Sequence, residues 1–255
     1  MHVDLADCVV LHRRAWRETS LIVDVLAREH GRFALVAKGA RRPKSRWSGT
    51  LEPLARVSLS WRGRGDMPTL ADVQPGAPRR LGDNRLLAGL YAAELTLRLC
   101  ARGDPHPALF DSFATLLEIL EQGAPAVVAL RFFERDLLAE LGYGLDLWHA
   151  ADTGQAVVAG QAYNLVADVG FETADNETVD AVDGRVLIGL RSGRFELGAD
   201  VRTARDLMRR ALAPHLGDRP LKSVATAHAM QRLGRRSDAV ETADAAHRSS
   251  EEPRT

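Results

Sequence analysis

The hydrophobic period of this chain changes at Pro75-Gly76-Ala77-Pro78, and that change leaves few architectures open. Before it, apolar residues recur at every second position. Val57, Leu59 and Trp61 alternate with Arg56, Ser58 and Ser60, the pattern of a half-buried strand. Cys8–Leu11, Leu21–Leu26, Arg32–Lys38, Leu54–Trp61 and Thr69–Val73 read as five short strands. Glu29-His30-Gly31 and the stretch from Arg62 to Asp66 read as turns. Five short strands in about 75 residues predict a small barrel, an OB-fold first and an SH3-like barrel second.

After the change, from Asn84, the period is helical. Leu86, Leu87, Leu90 and Tyr91 open one apolar face. Further helices are expected over 108–120 and 126–141, with Gly142 closing the second of these, and over 203–213 and 223–233. Between them, residues 145–200 are glycine-rich, with the strand-like runs Val157-Val158, Leu165-Val166 and Val186-Leu187-Ile188. The fold class is therefore α+β: an OB-type barrel over 1–78, then a mostly helical domain over 79–236. A small loop-rich insertion over 145–200 rests on the helices. The polar, Ala-rich stretch 237–255 predicts disorder.

The net charge of zero hides a segregation. Residues 1–80 carry 15 Lys and Arg against 8 Asp and Glu. Residues 81–200 carry 8 against 19, and residues 201–236 carry 9 against 2. Two basic segments beside an acidic body suit a polyanion partner. No apolar run is long enough to cross a bilayer. The first residues lack the basic and apolar regions of a secretory signal, and two cysteines are too few for a disulfide framework. Cytoplasmic residence follows as the expectation.

The strongest local feature is Lys38-Gly39-Ala40-Arg41-Arg42-Pro43-Lys44-Ser45-Arg46-Trp47, directly after a strand. Lys38, Arg41, Arg42, Lys44 and Arg46 would neutralise phosphates and release counterions. Trp47 would stack on a base, or else pack in the core. Arg32, Arg62 and Arg64 would extend the patch. A second cationic group, Arg205, Arg209 and Lys222 with Arg202 and Arg210, would touch phosphates or oppose a helix dipole. Arg131 stands in the apolar helical stretch Val127–Phe133. It would clamp a partner's carboxylate, or pair with Glu134 or Asp136. No Walker A loop, Gly-x-Ser-x-Gly elbow or His-Glu-x-x-His helix is present. No catalytic residue, cofactor or metal is expected, and Cys8 and Cys100 read as small buried hydrophobes.

The chain resembles the RecO family of recombination mediators. The resemblance runs in order through Val10–Leu21, Gly31-Arg32, Leu35–Arg41, Gly89–Leu95, Leu130–Glu134, Leu141–Gly144, Arg210–Gly217 and Pro220–Ser223. It implies an N-terminal OB-fold, a helical C-terminal domain and a non-enzymatic protein that binds single- and double-stranded DNA. It also implies annealing of strands coated with single-strand-binding protein (SSB), and RecA loading at gaps with RecR. Arg131, with Val127 and Phe132, matches the place where the family receives the SSB C-terminal tail. The resemblance further suggests association with the nucleoid and a monomer when alone. Many members carry a four-cysteine zinc module after the Leu-Gly-Tyr segment. Here Ala150 and Thr153 stand at its first pair, so a metal-free version is expected. Two other classes stay open: a generic OB-fold RNA- or DNA-binding protein, and a small hydrolase using residues of 145–200.

Overall fold

The computed structural model describes residues 2–227 and 229, except 64, 66, 79, 176 and 197; at 2 and 83 it describes the backbone alone. Five strands come first: β1 (His2–Trp16), β2 (Ser20–Ala27), β3 (Gly31–Ala37), β4 (Arg56–Arg62) and β5 (Thr69–Pro75). They close into a barrel in the order β1-β2-β3-β5-β4. β3 and β5 run parallel through Val36 and Thr69, while the other pairs are antiparallel. That order decides for the OB-type barrel over the SH3-like one.

Strand β1 closes the ring because it pairs with β2 along one edge and with β4 along the other. Its register shifts between Val3 and Ala6 and between Val10 and His12 supply the bends that closure needs. The barrel core holds Cys8, Val10, Val23, Val25, Leu35, Leu59 and Trp61. The alternate residues Val9, Leu11, Ile22 and Leu26 are buried too, so a second layer must cover these strands.

Helices supply that layer. α1 (Asp83–Leu99), α2 (Pro107–Glu121) and α3 (Ala126–Glu140) follow the barrel, and α1 packs on β1. Leu54, ahead of β4, reaches the helices. A Cβ on Gly89 of α1 would meet its side chain. Arg28 forks onto Asp111 of α2 with bonds of 3.0 and 2.8 Å. Arg56 forks onto Asp7 and lies 3.6 Å from Glu118 of α2. Gly31 sits at φ +67°, and a Cβ there would strike the backbone of Asp104. Barrel and helices thus form one compact unit, Met1–Gly217. A second unit begins at Asp218 and contains a helical stretch over 222–227.

The segment after α3 differs from the sequence expectation in two places. β6 (Ala162–Val166), β7 (Gly170–Ala174) and β8 (Val182–Asp183) form a sheet in the order β7-β6-β8, which includes Leu165-Val166. Val157-Val158 lies outside the strands. Val186-Leu187-Ile188, expected as extended, is helical in α4 (Gly184–Ser192). Asp183 caps that helix by accepting from the Arg185 amide at 2.8 Å, and Gly193 ends it at φ +82°. These two end signals outweigh the β preference of the branched residues. α5 (Gly198–Leu216) is longer than the span 203–213 and packs on α1, α3 and α4. The expected end of the helix begun near 223, and the stretch 237–255, lie outside the described residues.

Candidate nucleic-acid interface

The basic connection Lys38–Trp47 leaves β3 at one end of the barrel, beside the turn joining β1 to β2. Trp16 and Ser20 are the last pair of that hairpin. The β1–β2 turn and the connection are stapled together. The Arg41 amide donates to Thr19 O at 2.9 Å, and its guanidinium donates to the carbonyls of Arg17 and Glu18, each at 3.3 Å. Arg41 is therefore used in holding the loop in place.

The other cations divide by what they touch. Arg46 donates to Ala71 O at 2.9 Å and lies 3.8 Å over the Trp47 ring. Arg32 is half-buried and donates from Nε to Cys100 O at 3.0 Å. Burial, with Arg102 nearby, lowers its affinity for the proton. Arg32 thus works between barrel and helices. Lys38, Arg42 and Lys44 are exposed, and no ion pair holds them among the described residues. Arg62 is exposed at the end of β4, and Arg64 lies outside the described residues.

Trp47 does not stand where a base could stack on it. It is 7 % exposed and belongs to the barrel core with Leu51 and Trp61. Its Nε1 donates to Lys38 O at 3.3 Å. It plugs the barrel beneath the loop that it ends. The aromatic side chain of this basic end is Trp16, 38 % exposed, with Arg17 5.9 Å from its ring. A groove of about 630 Å3 is lined by Trp16, Arg17, Glu18, Lys38 and Arg42, among others. The signal for Trp16 is present in the sequence: an aromatic beside a cation, four residues before the start of the next strand. Two of these cations, Arg17 and Lys44, sit at positive φ, 53° and 61°. For residues with a Cβ that conformation costs roughly 1–2 kcal/mol each.

The second cationic group lies elsewhere. Arg202, Arg205 and Arg209 are exposed on α5, where Arg205 meets Asp206 at 3.2 Å. Arg210 is tied to Asp180 O at 2.8 Å. Lys222 is exposed and belongs to the second compact unit.

Arg131, on α3, points inward. It is 4 % exposed and bonds Glu134 at 2.8 Å. Tyr91 of α1 donates to the same carboxylate oxygen at 2.7 Å. Burial pushes Glu134 up to about 7, against the pull of Arg131 and Tyr91. Arg131 Nε and Glu134 Oε2 find no hydrogen-bond partner among the described residues. Val127, one helical turn earlier, is 54 % exposed. Phe132 is half-buried and stacked on Phe195 at 5.9 Å.

The zinc-module position holds no thiolates. Ala150 is 1 % exposed and Thr153 follows in a turn. Neither the methyl of Ala150 nor the neutral hydroxyl of Thr153 replaces a thiolate or imidazole, so these residues do not fit zinc. The turn is closed instead by hydrogen bonds. Gly154 donates to Ala150 O at 2.8 Å, and Asp152 accepts from the amide and hydroxyl of Thr173 on β7. Among the described residues, no cluster of three or more His, Cys, Asp or Glu could hold a metal. Nor is any described helix long and apolar enough to cross a membrane.

A closed barrel of this strand order, with a basic end and a helical body, defines a protein of the OB-fold class. Comparison with known proteins narrows the class to a family. Residues 1–79 match the model "Recombination protein O N terminal" and residues 84–225 match "Recombination protein O C terminal". A DNA repair protein RecO of Azoarcus sp. is 39% identical over 228 residues, 87% of this chain and 93% of the relative. One from Nitrosococcus oceani is 40% identical over 237 residues, 92% and 96% of the two chains. One from Methylococcus capsulatus is 40% identical over 215 residues, 84% and 88%. The chain belongs to the RecO family of DNA repair proteins.

Proposed function

We propose that this chain is a non-enzymatic mediator of recombinational repair, with no chemical step of its own. In this reading the basic end of the barrel holds single- and double-stranded DNA. The helical region holds the C-terminal tail of SSB. Holding both brings coated complementary strands together, and base pairing supplies the free energy for annealing. With RecR, the same protein promotes RecA loading at gaps. One observation carries the reading: Lys38, Arg42 and Lys44 are exposed on a single loop that Arg41 and Trp47 tie down by hydrogen bonds. Pre-organised cations bind a phosphate backbone with less ordering cost than a free loop does.

The tail site works by exchange. Arg131 is engaged by Glu134, so a tail carboxylate must take over that contact. Val127 and Phe132 would receive the apolar side chains of the tail. Burial raises the Glu134 carboxyl above its ordinary range, so uptake of a proton offsets part of the cost of parting it from the arginine.

The test is annealing of complementary oligonucleotides coated with full-length SSB or with SSB lacking its C-terminal tail. Acceleration that depends on the tail is expected. Acceleration regardless of the tail would remove the role of Arg131. No acceleration with either, at moderate salt and with folded protein, would overturn the mediator reading.

A further inference from the structure

The proposed DNA surface contains one groove in which an indole and several cations stand together. We propose that Trp16 is a stacking platform for an unpaired base, and that it makes this protein prefer single strands to duplex. The inference rests on the DNA-binding reading above and adds a residue and a specificity to it.

Trp16 ends β1 at the tip of the β1–β2 hairpin. It is 38 % exposed although it is the largest apolar side chain type, and it lines the groove with Arg17, Glu18, Val36, Lys38 and Arg42. The hairpin tip does not depend on it for cover, because the staple from Arg41 to the carbonyls of Arg17 and Glu18 holds the tip. Trp47 and Trp61 are buried, 7 % and 4 % exposed, and are closed to a ligand. Trp16 is thus the indole that this end of the barrel offers to solvent.

The chemistry follows from what each form of DNA presents. Phosphates are present in single strands and in duplex alike, so Lys38 and Arg42 attract both. Interior bases of a duplex have both faces covered by their neighbours. An unpaired base has a face free for the indole, and every base has such a face, so the contact is indifferent to sequence. Glu18, which also lines the groove, repels phosphate yet accepts a hydrogen bond from a base N–H, exocyclic on adenine, guanine and cytosine and the ring N3–H on thymine. When a complementary strand pairs, the base leaves Trp16 and the strand keeps only its phosphate contacts. The groove therefore holds substrate more tightly than product, as an annealing protein requires for release.

The experiment uses the full chain with an oligo-dT strand and a blunt duplex of equal length. Trp148, exposed elsewhere at 59 %, is replaced by Phe so that Trp16 dominates the accessible fluorescence. Single-stranded DNA should quench that emission, and duplex should not. Trp16→Ala should lose about 10- to 100-fold in affinity for oligo-dT. Its duplex affinity and its salt slope should be unchanged, since no charge is removed. Trp16→Phe, which keeps a π-face, should recover most of the loss. Equal loss on both DNAs would show that Trp16 shapes the hairpin and stacks on nothing, which overturns the inference. Unchanged binding of Trp16→Ala to oligo-dT, with the parent protein binding well, overturns it too and leaves the DNA-binding reading intact. Failure of the parent protein to bind either DNA at low salt would overturn both.

Discussion

Among neighbouring cations of the same type, the structure separates those that bind the loop from those that face solvent. Arg41 and Arg42 are adjacent, yet Arg41 is bonded to two backbone carbonyls and Arg42 lines an open groove. Arg42→Glu should therefore weaken DNA binding with little change in thermal stability, whereas Arg41→Ala should lower the melting temperature as well. Parallel melting and anisotropy measurements check this; identical effects at the two positions would deny the division. Lys44 carries a sharper expectation because its φ is 61°. Lys44→Gly removes a Cβ penalty of roughly 1–2 kcal/mol and a phosphate contact together. Stability should hold or rise, partly offset by the entropy glycine adds to the unfolded chain, while affinity for single strands falls. The sequence offers Trp16 and Trp47 alike as aromatics beside arginines and does not tell their roles apart. Burial distinguishes them: Trp47 follows a loop that folds back over the barrel mouth, and Trp16 ends a strand that has outrun the barrel. Trp47→Ala should cost about 3–5 kcal/mol through the cavity it leaves.

Elements were legible where their period was long and their ends were marked. The spans of α2 and α3 matched the spacing of their apolar residues to within a residue or two, and Gly142 at φ +83° ends α3 as its position suggested. β1 was read as Cys8–Leu11 and runs His2–Trp16. Its outer third, His12 to Trp16, is exposed and charged, so no hydrophobic alternation betrays it; pairing with β2 alone makes it a strand. α4 was hidden by its branched residues. In α3, the pair Arg131–Glu134 was one of two readings, and burial of both groups needed the third dimension. Its consequence is a pH dependence. The ordinary value of Glu134 is 4.5 and the folded one about 7. Between these, the folded protein holds a proton that the unfolded chain releases. Stability from this group is fully present below about pH 4.5 and is lost as pH rises through about 7. Glu134→Gln should flatten the melting temperature across that window. An unchanged pH profile in the variant would show that Glu134 titrates normally. The carboxylates held low, such as Asp111 by Arg28, act in the acid range beneath it and do not mask the effect.

The whole molecule confines its polyanion surface by charge. The acidic middle, 8 Lys and Arg against 19 Asp and Glu over residues 81–200, belongs to the helical body that covers one side of the barrel. DNA drawn to the basic barrel end meets repulsion if it spreads across that body, within a Debye length of roughly 10 Å at 0.1 M salt. The cations on α5 lie beyond α1 and α3 in the packing order and form a separate candidate contact. The salt dependence of single-strand binding separates one surface from two. If Arg17, Lys38, Arg42 and Lys44 make the phosphate contacts, the log–log slope should be about −3, at roughly 0.7 per phosphate. Adding Arg202, Arg205 and Arg209 would take it to about −5. Replacing Lys38, Arg42 and Lys44 together by Ala should bring the first slope close to −1 and leave SSB-tail binding unchanged. A flat slope in the parent protein would remove the phosphate clamp. A slope near −5 that falls only to about −3 in the triple variant would place half the DNA on α5, and the acidic body would then be a bridge between two basic surfaces and not a boundary to one.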